Sequence, residues 1–410
     1  VTATPVSVIV VSRARPEALA RCLRGIAGLD HDRFEIVVVA DPAGLDAVES
    51  WRGRIKSMAF DEANISRARN LGLSLAAGDI VAFIDDDSVP EPTWLSRLVE
   101  PFADDAVGAA GGYVIGRNGI GLQWGASTAD RFGCRLPLGT DPARSEVHRG
   151  DAGRAIKTEG TNMAFRRELL LRIGAFDERF AFYLDETDVN LRLGALGAAT
   201  AIVPLAQVHH AFAASDRRRR DRVPRDLSEI GASLAVFLAK HGTDPATRLA
   251  AESAAQRRRI VAHMVAGRIE PRDVDRLLET FRDGWMRGLT RAPSGGPVTA
   301  ERKPFLAFAA QPSGPRRHRV LSGRPWQGRA LRARAAALAA EGETVSVIIL
   351  SLSALFHRVT FTDDGYWLQT GGLFGRSVES DPLFRFWRFR DRVAREVQRV
   401  SLVRGPVSGP

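Results

Sequence analysis

Ile80–Pro90 reads IVAFIDDDSVP, an apolar run that ends in three consecutive carboxylates, Asp85, Asp86 and Asp87. An unbroken apolar stretch of this length predicts a strand buried on both faces over Ile80–Ile84. Side chains alternate along extended chain, so Asp85 and Asp87 are expected on one side and Asp86 on the other. Two carboxylates on one side, at the carboxyl end of a buried strand, suit a hard divalent cation that bridges diphosphate oxygens. A helix starting near Glu91-Pro92 needs only one acid as a cap, whereas three adjacent acids repel one another unless something positive binds.

Upstream, Val6–Val11 is a second buried-type strand, followed by an Arg- and Pro-bearing loop and by helical spacing over Glu17–Leu29. Phe34–Val39 (FEIVVV) is a third strand ending in Ala40-Asp41-Pro42, and Ile55–Phe60 a weaker fourth. Asn64–Ala77 has helical spacing and stops at Gly78, a residue suited to a helix C-terminus. Strands alternating with helices predict an α/β sheet flanked by helices, with ligands bound beyond the carboxyl ends of the strands. Downstream, a strand pattern over Ala199–Val203 leads by a short connection to His209-His210. From about Asp226 to Leu289 helical periods take over, and Arg291–Pro304 reads as a linker. HRVLSG, RALRARAAALAAEG and TVSVIILS then suggest one β-α-β unit, with an aromatic and Gly-rich stretch after it. The expected organisation is a catalytic domain over 1–225, a helical segment over 226–292, a linker over 293–304 and a small α/β accessory domain over 305–410.

With 410 residues, 45% of them apolar, the chain can bury one large core and one or two smaller ones. Its longest apolar stretches fall well short of the ~20 residues of a spanning helix. VTATPVSVIVVS has no basic region ahead of its apolar run. The expected location is cytoplasmic, with peripheral contact at the inner membrane face. Cys22 and Cys134 lie far apart without His or Cys at metal-ligand spacing, so neither a disulfide framework nor a zinc site is expected. Residues 1–210 hold 23 Lys and Arg against 28 Asp and Glu, which leaves a net +15 for residues 211–410. That segregation suits an anionic glycan or membrane surface, although only four of the 58 basic residues are Lys and an Arg bias explains it equally. Arg324, Arg329, Arg332, Arg334, His357, Arg358 and Arg376, interleaved with Trp326, Tyr366 and Trp367, are the residues expected to dock an anionic acceptor. Asp216–Arg222 (DRRRRDR) has no interleaved aromatic residues, so no nucleic-acid partner is expected.

The motifs occur in order: VIVVSRARPEA (Val8–Ala18), Asp41, NISRARNLG (Asn64–Gly72), the acid triplet, and the pair GTNMAFRR (Gly160–Arg167) and FYLDETDVNLRL (Phe182–Leu193). Together they make the first ~215 residues resemble the family 2 glycosyltransferases, inverting enzymes with the GT-A fold. The resemblance implies a GT-A-type sheet that binds a nucleotide-diphosphate sugar donor and a divalent metal, Mn or Mg. It assigns Ser12, Arg13, Arg15 and Asp41 to the nucleotide, and has Arg69 and Asn70 presented towards the donor. Asp85 and Asp87 fall to the ribose and metal-diphosphate, with Asp86 grouped beside them. Gly160, Thr161, Asn162 and Asp188 are placed at the donor-acceptor boundary. The family more often has Glu-Asp-x-Asp where this chain has Asp185-Glu186-Thr187-Asp188, so the position matching the general base is Glu186, with Asp185 its catalytic neighbour. Asp188 also suits an i+4 pair with Arg192. A His from the region of His209-His210 is the further metal ligand, His210 preferred by spacing.

These assignments imply transfer of a sugar to a glycan or lipid-linked acceptor in polysaccharide or glycoconjugate synthesis. A nucleotidyltransferase is the alternative, but SRARPEA lacks the Gly of a phosphate loop. A catalytically weak glycan- or membrane-binding scaffold is the non-enzymatic alternative, and intact Asp85, Asp87 and Glu186 speak against it.

Overall fold

The computed structural model describes residues 4–211, 217–219, 221–293, 296, 298–309 and 316–407, so Asp216 and Arg220 of the basic run lie outside the described residues. Its fold is α/β, built on a ten-stranded mixed sheet. Val6–Ser12 lies between Phe34–Ala40 and Ile80–Asp85, parallel to both, with Val11 opposite Asp85 and Ser12 opposite Ala40. Ser12, Asp41 and the acids thus leave the sheet at one level, at its carboxyl end. Lys56–Ala59 closes one side. Across the other side the order runs Ile80–Asp85, Met163–Arg166, Val107–Ile115, Ala199–His210 and Glu146–Arg149.

Every residue of Phe34–Ala40 is buried, because helices cover both faces. Pro16–Ile26 and Trp94–Val99 pack on one face around Leu19, Leu23, Trp94 and Leu98. Ile65–Leu75 and Asp185–Ala195 cover the other through Leu73, Val189 and Leu193. Helices Ser228–Lys240, Pro245–Val265 and Pro271–Leu289 then build a second core against Phe180, Leu184 and Leu191 of the sheet domain. They touch closely, since a Cβ on Gly284 would sit 1.8 Å from the Ser228 carbonyl oxygen.

Two expectations about strands are corrected. Extended chain stops at Asp85, and Asp86-Asp87 form the turn into a short strand Ser88–Pro90, so strand alternation does not set the direction of all three acids. The Ala199 strand does not end at Val203 but continues to His210, because Val208–His210 pair with Pro90–Ser88.

The C-terminal sheet runs His318–Gly323, Thr344–Ser351, Trp367–Gly372, Arg358–Phe361. The aromatic and Gly-rich stretch therefore supplies two strands beyond the β-α-β unit. The C-terminal part meets the first sheet's domain at several places, two of which bring in buried side chains. Phe308 donates its N–H to the Phe34 carbonyl at 2.7 Å and stacks between Phe34 and Trp51. At the end of helix Phe389–Arg404, Arg404 makes a buried two-pronged pair with Glu91, both contacts 2.8 Å, while its guanidinium lies over Trp367. Tyr366, Trp367 and His357, expected on a docking surface, are buried here, because the sheet turns them inwards.

Candidate donor and metal site

Asp85, Asp87 and His210 each bring one ligand atom within 4.8 Å of the others. The three come from a strand end, the turn after it and the last residue of a distant strand. Adjacent residues of a strand face opposite sides, so His209 cannot join them. Its Nε2 is 2.8 Å from Glu91 and its ring packs on Trp367, which corrects its assignment as a metal ligand. His210 is held by Gln123, whose amide oxygen is 3.2 Å from Nδ1, so Nε2 is turned to Asp87 at 3.2 Å. Two carboxylates and one imidazole form a donor set that fits a divalent ion, and nitrogen favours Mn over Mg.

Arg15 spans the acid turn, 3.0 Å from Asp86 and 3.2 Å from Asp87. Ser12 donates its hydroxyl to Asp86 at 2.7 Å. Burial nevertheless pushes the Asp86 carboxyl up to about 8, against the pull of Arg15 and helped by the Asp87 charge. A cavity of about 580 Å³ opens beside this group, lined by Arg15, Asp86, Asp87, His210, Arg117 and the strand Arg358–Phe361. That size suits a small-molecule ligand.

Behind the triad, Arg69 links the acids to helix Asp185–Ala195. Its guanidinium donates to Asp85 at 3.2 Å, to the Gly160 carbonyl at 3.0 Å and to Asp185. Burial raises Asp185 to about 7 in spite of Arg69. Glu186 is different: burial would raise it, but Lys157, 2.6 Å away, brings it down to about 2. The turn entering this helix puts Tyr183 at φ 88 and Leu184 at φ 66, two successive non-glycine residues in left-handed conformation. Each costs roughly 1–3 kcal/mol, and the helix that the turn opens gives Asp185 to Arg69 and Glu186 to Lys157.

Other expected site residues are used by the fold. Asp41 caps helix Pro42–Ala47, accepting the Gly44 N–H at 3.2 Å, and is not among the residues lining the cavity. Arg13 is exposed and pairs with Asp61. The Asn70 amide is turned away from the donor side, donating to the Phe176 carbonyl at 2.9 Å and accepting its N–H. Thr161 shares a 2.6 Å hydrogen bond with Ser88. Asn162, fully buried, accepts from Trp94 Nε1 and donates to the Tyr113 and Ala206 carbonyls. Asp188, expected at the boundary, is instead sealed in an ion cluster with Arg192, Lys240 and His241. Apart from exposed Arg13, each of these side chains is short and polar, and a group beside it meets the need that burial creates. Lys157, Gln123 and Glu91 were not expected; Lys157 had a signal, as one of four lysines in an Arg-rich chain.

With this geometry in view, the comparisons are specific. Residues 7–174 match the model of Glycosyl transferase family 2. This part of the chain is similar to the family 2 glycosyltransferases. The matched segment holds Asp85, Asp87 and Gly160–Asn162, while Asp185, Glu186 and His210 follow it. Glucosyl-dolichyl phosphate glucuronosyltransferase of Haloferax volcanii is 29% identical over 184 residues, 42% of this chain and 56% of that protein. Succinoglycan biosynthesis protein ExoM of Rhizobium meliloti is 29% identical over 208 residues, 48% of this chain and 63% of its own length. The chain thus spans less than two thirds of either relative. Among solved structures, mannosyltransferase PcManGT from Pyrobaculum calidifontis with GDP-Man and Mn2+ has a TM-score of 0.42 at 18% identity, covering 70% of this chain and 88% of that one. GalNAc-T7 with UDP, GalNAc and Mn2+ gives 0.43 at 19%, over 50% and 44%. Among the described residues, no helix is long and apolar enough to cross a membrane.

Proposed function

We propose that the protein is a metal-assisted, inverting glycosyltransferase that moves a sugar from a nucleoside-diphosphate donor to a hydroxyl of a glycan or lipid-linked acceptor in polysaccharide or glycoconjugate synthesis. The observation that carries this is the convergence of Asp85, Asp87 and His210 beside a ligand-sized cavity at the carboxyl end of a parallel sheet. Asp85, Asp87 and His210 would hold the ion, which supplies neutralisation of the departing diphosphate. Arg69 fixes Asp85 and Asp185 in one geometry, and Gly160 lends its carbonyl to hold Arg69.

Glu186 is the proposed base. Its side chain keeps 16% exposure against 4% for Asp185, so an acceptor hydroxyl can reach it and give up its proton there. Lys157 holds that carboxylate ionised and in place until the acceptor arrives. A second reading rests on Asp185, whose proton affinity near 7 matches a base better although it is clamped on Arg69. Donor turnover across UDP-, GDP- and TDP-sugars with Mn2+ or Mg2+, and the anomeric configuration of the product, test the assignment. Transfer that persists undiminished in a chelator, or a retained anomer, would overturn it.

The acceptor is proposed to lie at an anionic membrane surface. Leu352, Leu355 and Phe356 on one loop and Leu383, Phe384 and Phe386 on another are each more than half exposed. The loops meet at Phe374, whose N–H is donated to the Ser353 carbonyl and whose ring lies 5.5 and 5.4 Å from Phe384 and Phe386. Arg376 over Phe356 and Arg385 over Trp387 border this surface with positive charge. Apolar side chains bordered by arginines suit the interface of an anionic bilayer.

A further inference from the structure

The cavity beside the metal triad is closed by two parts of the chain that are far apart in sequence. One side is the acid turn with Arg15 and His210; the other is Arg358–Phe361, the edge strand of the C-terminal sheet. That strand is fixed there. Val359 donates its N–H to the Asn118 carbonyl at 2.8 Å, and a Cβ on Gly119 would meet the Val359 carbonyl oxygen at 2.0 Å, so the loop Gly116–Gly121 and the strand touch through their backbones. Gly119 is also at φ 73, where a side chain is strained.

The arginines in this cavity are not equivalent. Arg15 is held by Asp86 and Asp87, and Arg21 by Asp363 at 2.8 Å. Arg358 is exposed on the cavity wall, and its guanidinium has neither an acid nor a carbonyl partner among the described residues. Thr360, two residues on and therefore on the same side of the strand, adds a hydroxyl. A planar guanidinium beside a hydroxyl, across from a cation-binding acid pair, is a chemistry that receives phosphate oxygens.

We infer that the C-terminal sheet forms a phosphate-binding wall of the donor cavity, with Arg358 as its cation. This rests on the proposed donor and metal site. The phosphate belongs to the donor diphosphate or to a phosphorylated lipid acceptor, and two arms separate them. Calorimetry on the full chain would measure UDP and GDP binding with Mn2+ in one arm, and geranyl phosphate binding with Mn2+ and nucleotide present in the other. R358Q is expected to weaken one of the two by about tenfold or more, the size of a lost charge-assisted contact, and R358K to recover part of it. The melting temperature reports folding, and if R358Q is unfolded the R358K comparison decides, since a lysine that binds both probes at full strength with unchanged salt dependence also removes the fork-specific role. If R358Q binds both probes like the parent while D87N loses Mn2+-dependent nucleotide binding, the wall is wrong and the donor site stands. Unchanged binding by D87N overturns the donor site, and the wall with it.

Discussion

His209 and His210 are neighbours with opposite surroundings, so the same substitution has two outcomes. Replacing His210 with Ala removes a ligand, and Mn2+ titrated by electron paramagnetic resonance should no longer bind at the site. Replacing His209 with Ala deletes its bond to Glu91 and should lower stability by roughly 1.5–3 kcal/mol while Mn2+ still binds. Gln123→Ala frees the His210 ring and should cost roughly 10–100-fold in Mn2+ affinity. At the acid pair, Glu186→Gln should keep nucleotide binding and lose about 10²–10⁴ in turnover. An active Glu186→Gln enzyme beside an inactive Asp185→Asn one moves the base to Asp185. Lys157 holds the Glu186 carboxylate near 2, below its ordinary 4.5, by opposing the effect of burial. Removing that cation with Lys157→Met lets the carboxyl rise, so the acid limb of the kcat/KM profile should move to higher pH. A limb that stays in place would mean that Glu186 is not the titrating base. The acid triplet was legible because three adjacent carboxylates have few structural uses. Asn70 and Asn162 looked functional in sequence, and only packing tells that their polar atoms are consumed inside the protein, whereas the Asp188–Arg192 pair was readable from its i+4 spacing.

Between elements, the joint of helix Phe389–Arg404 with the first sheet combines backbone contacts to Thr93 and Arg97 with one buried ion pair. Glu91→Gln leaves Arg404 buried without its charge partner, which should cost roughly 3–5 kcal/mol, measured by denaturant unfolding. Burial alone would raise Glu91, yet Arg404 and His209 hold it at about 2, below its ordinary 4.5. Stability from the pair is therefore complete above about 4.5 and is lost as pH falls from there towards 2. An acid midpoint shared by the parent and Glu91→Gln would contradict this. Strand and helix alternation over the first sheet was readable from apolar runs and periodic spacing. The extension of a strand to His210 and the strand Arg358–Phe361 were not, since RVTF and QVHH carry too few apolar residues and gain their order from partners far along the chain.

At the scale of the molecule, a linker over 293–304 and an accessory domain over 305–410 would let the chain be cut from about Val298 without harm to nucleotide binding. The two fastenings argue otherwise. Truncation there strips Phe308 from Phe34, Arg404 from Glu91 and Trp367 from His209, so the remaining chain should aggregate or lose its nucleotide affinity in gel filtration and calorimetry. A soluble truncated protein with parental affinity would show the joint to be dispensable. Phe384→Ser with Phe386→Ser, both on exposed sites, should instead leave donor turnover intact and abolish flotation with phosphatidylglycerol vesicles. Flotation of the parent should itself weaken as salt rises. The charge asymmetry was visible in composition, but which arginines face the donor, the core or the exterior depends on the fold alone. The Glu91–Arg404 pair also has a meaning in time. Its partners are 313 residues apart, so a ribosome adding 5–20 residues per second needs roughly 15–60 s to make the second after the first. For that interval the nascent first sheet carries an uncovered acid beside its histidine strand, and the cavity beside the acid turn lacks the strand Arg358–Phe361. The buried pair and the cavity are therefore complete only after Arg404 has been made.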